Sequence, residues 1–277
     1  MKKILLSIVS LIFIVPGLMA QDYFFPARKG AELIYKYYDR NGREMKGAAR
    51  GPKWTKFTVE NVWPAENGNI TINVRIEDDY LKSLNTKNHE RAYIDAMYYG
   101  DVKIEGDSVV LDNMHQLLLK AYGAIPAKDA HTASVSINMT AAYTFPRKLS
   151  VGMKLSDREV MNVVVTDYNS EKMNDIINSA LLQMGLVGKA TGHQNRKFTA
   201  KMTGRKVEAL EKIETPAGSF ECYKMNYLLD EKRIGSGFQT ITSYAEWISP
   251  KIGLVKRERY DKRGRTEETM ILESYKP

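Results

Sequence analysis

The side chains that most often carry out chemistry, histidine and cysteine, are few in this chain and widely spaced. The four histidines are His89, His115, His131 and His193, and no two of them have the spacing of a metal site. Cys222 is the only thiol, and the sequence puts no histidine close to it that would activate it as a nucleophile. We therefore predict that Cys222 is buried and inert.

Short motifs of known enzymes and ligand sites are also missing from the sequence. There is no His-Glu-x-x-His, no Gly-x-Ser-x-Gly and no glycine loop of the kind that cradles phosphate. The pair Asp78 and Asp79 lacks the oxygen-ligand spacing of a calcium loop. We expect a protein that is not an enzyme and that needs no cofactor or metal. An enzyme of unfamiliar type is the least favoured hypothesis, because acid–base work needs convergent titratable groups.

The first twenty residues have the layout of a secretory signal peptide. Lys2 and Lys3 precede the apolar stretch 4–15, and Ala20 puts a small residue at the expected cut. The prediction is a signal peptide at residues 1–20 and one mostly antiparallel β domain at residues 21–277, located in the periplasm or secreted. No later segment has the ~18 apolar residues of a spanning helix, so the protein is not expected to cross the membrane.

The formal net charge is modestly positive. It is +8 for the whole chain, and it falls to +6 when the two lysines of the predicted signal peptide are removed. This excess allows attraction to anionic surfaces, but it does not indicate a nucleic-acid partner.

The last third of the chain reads as a series of antiparallel strands. Its segments are rich in Val, Ile, Thr, Tyr and Phe, and Gly or Pro residues separate most of them. Short links of this kind join antiparallel neighbours, so this third is predicted to be a meander. The predicted strands are 196–202, 205–213, 219–229, 238–248, 253–260 and 266–275.

The N-terminal part shows the same pattern of strand-forming segments and turn residues, but less regularly. Asn41 and Gly42 form a strong hairpin signal after the first strand, and apolar residues alternate strictly from Ile70 to Ile76. The predicted strands here are 31–39, 54–63, 69–77, 91–99, 102–105, 108–111, 134–144 and 160–168.

Two segments have helical periodicity instead. Residues 170–187 carry an apolar stripe at positions i, i+3, i+4 and i+7, and residues 113–122 are a shorter candidate. The helices either cover an open face of the sheet or act as a lid over a lipophilic cavity. In the second case the candidate ligand-facing residues are Met173, Ile176, Ile177, Leu181 and Met184.

Basic residues crowd two hairpins. A solvated hairpin or a protected strand edge explains this pattern, and contact with an anionic envelope glycolipid or polymer is the alternative. The candidate anionic-surface contacts are Lys256, Arg257, Arg259, Lys262 and Arg263. The earlier hairpin carries Arg196, Lys197, Lys201, Arg205 and Lys206.

Four segments carry a resemblance to a known family: residues 30–35, 145–155, 215–224 and 244–256. Together they resemble the TapB-like proteins of the bacterial envelope, which are relatives of the domain of unknown function numbered 3108. That family has no established activity and no catalytic residues to carry over. The resemblance implies a curved antiparallel sheet, loosely like the lipoprotein carriers and sensors of the LolA and RseB type.

The fold expected from these patterns is mainly β with a minor helical part. It is a curved antiparallel sheet or a partly open β-barrel, with one or two helices covering a face. The leading functional hypothesis is a non-enzymatic binding module for an apolar or amphipathic envelope ligand such as a lipid. The alternative is a structural or interaction protein that docks an envelope protein partner and has no small ligand.

Overall fold

The computed structural model describes nine stretches of the chain. They are residues 24–46, 52–65, 67–79, 97–112, 135–140, 142–167, 196–234, 238–250 and 252–277. The predicted signal peptide and both predicted helices, 113–122 and 170–187, lie outside these ranges. The candidate ligand-facing residues Met173, Ile176, Ile177, Leu181 and Met184 lie outside them as well. Apart from a single helical residue at Asp79, the regular structure of the described stretches is all β strand.

Within the described stretches, thirteen strands form one antiparallel sheet in the order β6-β8-β9-β10-β11-β12-β13-β1-β2-β3-β4-β5-β7. The strands are β1 Glu32–Asp39, β2 Trp54–Pro64, β3 Ile70–Asp78, β4 Met97–Glu105, β5 Ser108–Asp112, β6 Val135–Thr140, β7 Ala142–Pro146, β8 Arg158–Asp167, β9 Arg196–Thr215, β10 Gly218–Ile234, β11 Phe238–Ser249, β12 Gly253–Tyr260 and β13 Thr266–Lys276. The run from β9 to β13 confirms the predicted meander, and β13 pairs with β1 to join its end to the N-terminal strands.

Alternating side chains and glycine turns explain why these segments fold as strands. In β3, Ile72, Val74 and Ile76 are buried while the residues between them are half-buried, as the strict apolar alternation predicts. The turn after β1 uses Gly42 at φ 71°, and the β2–β3 turn uses Gly68 at φ 79°. Both values lie in the left-handed region that glycine enters without a steric penalty.

The two edges of the sheet meet along one continuous segment. β6 pairs with β8 at one edge and β7 pairs with β5 at the other, although only residue 141 separates β6 from β7 in sequence. After β7 the chain passes beside β9, where Gly152 N–H donates to the carbonyl of Val207 at 2.8 Å. The described strands therefore form a nearly closed antiparallel barrel. It has twelve strand positions around its circumference, because β6 and β7 follow each other along one position.

Three strand predictions need correction. Residues 97–99 and 102–105, predicted to lie in two separate strands, belong to the single strand β4. The predicted break at Gly204 does not end a strand, because β9 runs through it. Gly204 has φ 63°, and it lies with Arg205 opposite the single residue Tyr227 of β10, which is the arrangement of a β-bulge. The predicted strand 134–144 is divided between β6 and β7, because its two halves pair with different edges of the sheet.

The buried apolar residues form two clusters. The larger one contains Ile72 and Ile104 from the N-terminal strands together with Val207 and Met225 from the long β9–β10 hairpin. The smaller one gathers residues of β1, β10, β11, β12 and β13, among them Leu33, Cys222, Trp247 and Leu272.

Within the described stretches, no helix has the length and apolar character needed to span a membrane.

Candidate functional site

The barrel contains a partly open cavity of about 290 Å³. Every strand except β6 contributes to its wall within the described part of the chain. Most of the wall is aromatic or aliphatic, and it includes Phe57, Val74, Ile76 and Met202. An apolar enclosure with a few polar groups is the usual form of a small-molecule site.

The segment before β1 forms part of this wall. Phe24 is 2% exposed, and its ring meets Phe145 edge to face with the ring centroids 5.1 Å apart. Its backbone N–H donates to the carbonyl of Pro250 at 2.7 Å, so this segment is fixed against the turn between β11 and β12. Gly253 makes the approach possible, because a Cβ there would lie 2.3 Å from the carbonyl oxygen of Phe24.

A buried carboxylate, Glu246 of β11, is the centre of the polar groups in the cavity. Its Oε2 accepts a hydrogen bond from the Tyr143 hydroxyl of β7 at 2.9 Å, and its Oε1 accepts one from the Tyr227 hydroxyl of β10 at 2.9 Å. Burial raises the pKa of both phenols well above the usual value, and the negative charge of Glu246 adds to the shift. Both hydroxyls therefore stay protonated and serve as donors to the carboxylate.

Arg205 of β9 lies beside this cluster and links β9 to β7, where the two ends of the sheet approach each other. It is 3% exposed, its Nη2 donates to the backbone carbonyl of Thr144 at 2.7 Å, and its guanidinium lies 5.4 Å from the centre of the Tyr143 ring. The sequence grouped Arg205 with a basic surface hairpin. The structure instead turns it inward, where it ties β9 to β7.

Arg257 of β12, one of the candidate anionic-surface contacts, also lies in the wall of the cavity. It is the cross-strand partner of Glu246, so the two side chains project from the same face of the sheet. Its guanidinium lies 5.9 Å from the centre of the Tyr244 ring. Among the described residues, none accepts a hydrogen bond from Arg257, and no carboxylate forms an ion pair with it. Strand alternation separates it from Lys256, which points to the opposite face.

The other candidate anionic-surface contacts are not gathered into one patch. Lys256 pairs with Glu258 at 2.7 Å, and Arg259 lies 3.4 Å from Glu268. Lys262 and Arg263 are exposed in the turn between β12 and β13. Nearby carboxylates therefore offset much of the positive charge that the sequence shows in this hairpin.

Trp247 lies on the opposite face of β11, where its ring packs against two lysines and its N–H group has a hydrogen-bond acceptor. It is 5% exposed, and its indole N–H donates to Glu211 at 2.7 Å. The ammonium groups of Lys256 and Lys224 lie 4.5 Å and 5.2 Å from the ring centroid. These contacts give Trp247 a packing role in the fold.

Cys222 belongs to the same packed region, and its predicted burial is confirmed. The side chain is 0% exposed, and its thiol lies 3.6 Å from the carbonyl oxygen of Phe220. Burial raises the pKa of Cys222 to about 12, with a further contribution from the charge of Glu211. The thiol is therefore held in its unreactive protonated form.

Sequence reasoning did not identify Glu246, Tyr143 or Tyr227 as site residues. One signal was present for Glu246, which is the only charged residue between Arg233 and Lys251. A single carboxylate inside a strand-forming stretch indicates a buried, hydrogen-bonded group, because burial of an unpaired charge is costly. The two tyrosines have no comparable signal, since their roles depend on which strands meet across the barrel.

Comparison with known proteins links this chain to exported bacterial proteins of related fold. The model of the DUF3108-like family matches residues 174–272. A solved structure from Bacteroides fragilis, described as an exported protein with a YmcC-like fold, is 15% identical with a TM-score of 0.57. The alignment covers 92% of this chain and 99% of that one.

A solved structure described as a lipoprotein, from Parabacteroides distasonis, is 18% identical with a TM-score of 0.55, and the alignment covers 92% of this chain and 98% of that one. At these identities the likeness establishes the fold alone. The search of curated proteins finds no match.

Proposed function

We propose that this protein is a non-enzymatic binding module that holds an apolar or amphipathic ligand of the bacterial envelope inside its barrel. The observation that supports this function is the cavity of about 290 Å³, whose wall is built by twelve of the thirteen strands. A ligand inside it contacts mainly aromatic and aliphatic side chains. Burial of its apolar surface supplies roughly 25 cal/mol for each Å² removed from water.

The buried polar groups of the cavity suit recognition. Glu246 already accepts hydrogen bonds from Tyr143 and Tyr227, and both phenols are held in their protonated form. A few polar groups of this kind orient a bound molecule and give specificity, while the apolar wall gives most of the affinity.

Location in the envelope is part of the same proposal. Residues 1–20 have the pattern of a secretory signal peptide, and the two similar structures are described as an exported protein and a lipoprotein. An envelope protein meets lipids and other amphiphiles after export, so the chemistry of the cavity fits the compartment.

The experiment is native mass spectrometry of the protein purified from its own envelope without detergent. We expect a bound small molecule that is lost on organic extraction, after which the protein takes up a neutral apolar dye. An envelope-purified protein with no added mass, whose extracted form also excludes the dye, would contradict the proposal. That result would favour the alternative of a structural component that docks a protein partner.

A further inference from the structure

We propose that Arg257 binds the anionic head group of a single-chain amphiphile whose apolar chain lies in the barrel. This inference rests on the proposed binding function and specifies the ligand class. The shared chemistry is a carboxylate or phosphate on one alkyl or acyl chain.

The arrangement of hydrogen bonds around Glu246 leaves Arg257 available. The two residues are cross-strand partners on the same face of the sheet. The two carboxylate oxygens of Glu246 instead accept from Tyr143 and Tyr227, each at 2.9 Å, and no ion pair joins Glu246 to Arg257 in the described structure. A guanidinium presents five N–H donors in a planar fork and stays charged at every ordinary pH.

The wall carries more acidic than basic groups, so the choice between an anionic and a cationic head depends on which of these groups already have hydrogen-bond partners. Arg257 is the only cation among the described residues that line the cavity, beside the acidic side chains Asp101, Glu231 and Glu246. Asp101 accepts a hydrogen bond from Asn73 at 3.1 Å, and Glu246 is satisfied by its two tyrosines. Glu231 is the one acidic group that a cationic head would select, so a cationic probe belongs in the test.

The size of the cavity limits the ligand to one chain. Ligand pockets usually measure about 300–1,000 Å³, and this cavity of about 290 Å³ lies at the lower end of that range. A lipid with several acyl chains exceeds this space. The apolar wall around Phe57, Val74 and Met202 suits contact with an alkyl or acyl chain.

The first test uses the native protein and three probes that share a ten-carbon chain. Decanoate, decanol and decyltrimethylammonium each compete for the cavity with the neutral dye N-phenyl-1-naphthylamine, at concentrations below micelle formation. We expect decanoate to displace the dye at a concentration about 10- to 100-fold lower than decanol, as charge-assisted hydrogen bonds predict. Decyltrimethylammonium is expected to be the weakest of the three.

The second test assigns the preference to Arg257. Arg257→Met keeps a long apolar side chain and removes the guanidinium, and Lys256→Met removes the same charge from the neighbouring residue on the opposite face. We expect Arg257→Met to lose the preference for decanoate over decanol, while Lys256→Met keeps it. Thermal melts of both variants establish whether they fold.

The outcomes separate this inference from the proposed function. Equal affinities for decanoate and decanol in the native protein would overturn the anionic-head inference and leave the binding function standing. Tighter binding of decyltrimethylammonium would overturn it in favour of Glu231. Failure of all three probes and of the dye to bind would contradict the binding function itself. If Arg257→Met does not fold, the comparison of probes on the native protein still decides between these outcomes.

Discussion

Consecutive residues of β11, Glu246 and Trp247, lie on opposite faces of the sheet. The two faces differ in whether their polar groups all have hydrogen-bond partners. On one face, Trp247 is enclosed by Lys224 and Lys256, and its only polar group donates to Glu211. On the other face, Glu246 is bonded to two tyrosines, but its cross-strand partner Arg257 faces the cavity with no acceptor among the described residues.

This difference between the two faces of β11 assigns one mainly to fold stability and the other to ligand binding. A packed face with all its polar groups bonded stabilises the fold and offers little to a ligand. A cavity face with a charged donor still available keeps part of its bonding capacity for another molecule. Substitutions on the Trp247 face are therefore expected to change the free energy of unfolding, and substitutions on the Glu246 face are expected to change ligand affinity as well.

The largest effect is expected at Trp247. Trp247→Ala removes a buried indole and should lower the free energy of unfolding by about 3–5 kcal/mol. The measurement is urea denaturation followed by fluorescence, with decanoate affinity determined at temperatures where the variant is folded. An unchanged stability, or a decanoate affinity that drops with the fold intact, would show that the two faces are not separate in function.

Tyr143→Phe tests the cavity face through its pH dependence. Loss of a hydrogen bond to a charged group should cost about 1.5–3 kcal/mol at pH 8. The pKa of Tyr143 is raised in the folded protein by burial and by the charge of Glu246, whereas the unfolded chain ionises near pH 10. Above pH 10 the unfolded state of the wild type therefore binds fewer protons than its native state. As a result, the free energy of unfolding of the wild-type protein falls as pH rises.

The Phe variant lacks this ionisation, so its deficit relative to wild type should shrink by up to about 1.4 kcal/mol for each pH unit above 10. Denaturation curves of both proteins at pH 8, 10 and 11 measure the change. A deficit that stays constant across this range would mean that Tyr143 is not buried beside a charged carboxylate.

The smallest effect is expected at Cys222. The thiol is fully buried and its pKa is raised to about 12, so the thiolate that reacts with labelling reagents is scarce at neutral pH. Native protein should react with a thiol reagent only at the rate of local or global unfolding, while the urea-unfolded protein reacts at once. Rapid labelling of the native protein at pH 7 would reveal an accessible thiolate and would revive the hypothesis of an enzyme.

Local patterns in the sequence predict most of the strands and their turns. The alternation from Ile70 to Ile76 and the glycine at position 42 act over a few residues, so the N-terminal strands and turns that contain them follow from local sequence. Gly204 shows the limit, since a glycine permits either a turn or a bulge. The choice depends on whether β10 continues beside it.

The site depends on information that the sequence does not carry locally. Glu246 meets Tyr143 only because β7 and β11 face each other across the barrel, 103 residues apart in the chain. Arg257 lies in a stretch of alternating charges, where the inward residue is set by the register with β11. Composition alone therefore assigned Arg257 to the surface, together with Lys256 and Arg259.

The most direct test of the central claim is a crystal structure of the protein with 10-bromodecanoate. We predict anomalous bromine density inside the barrel, close to Phe57, Val74 and Met202, with the carboxylate within hydrogen-bond distance of the Arg257 guanidinium. Bromine density confined to the outer surface, with side chains filling the interior, would contradict the claim that this barrel is a ligand-binding cavity.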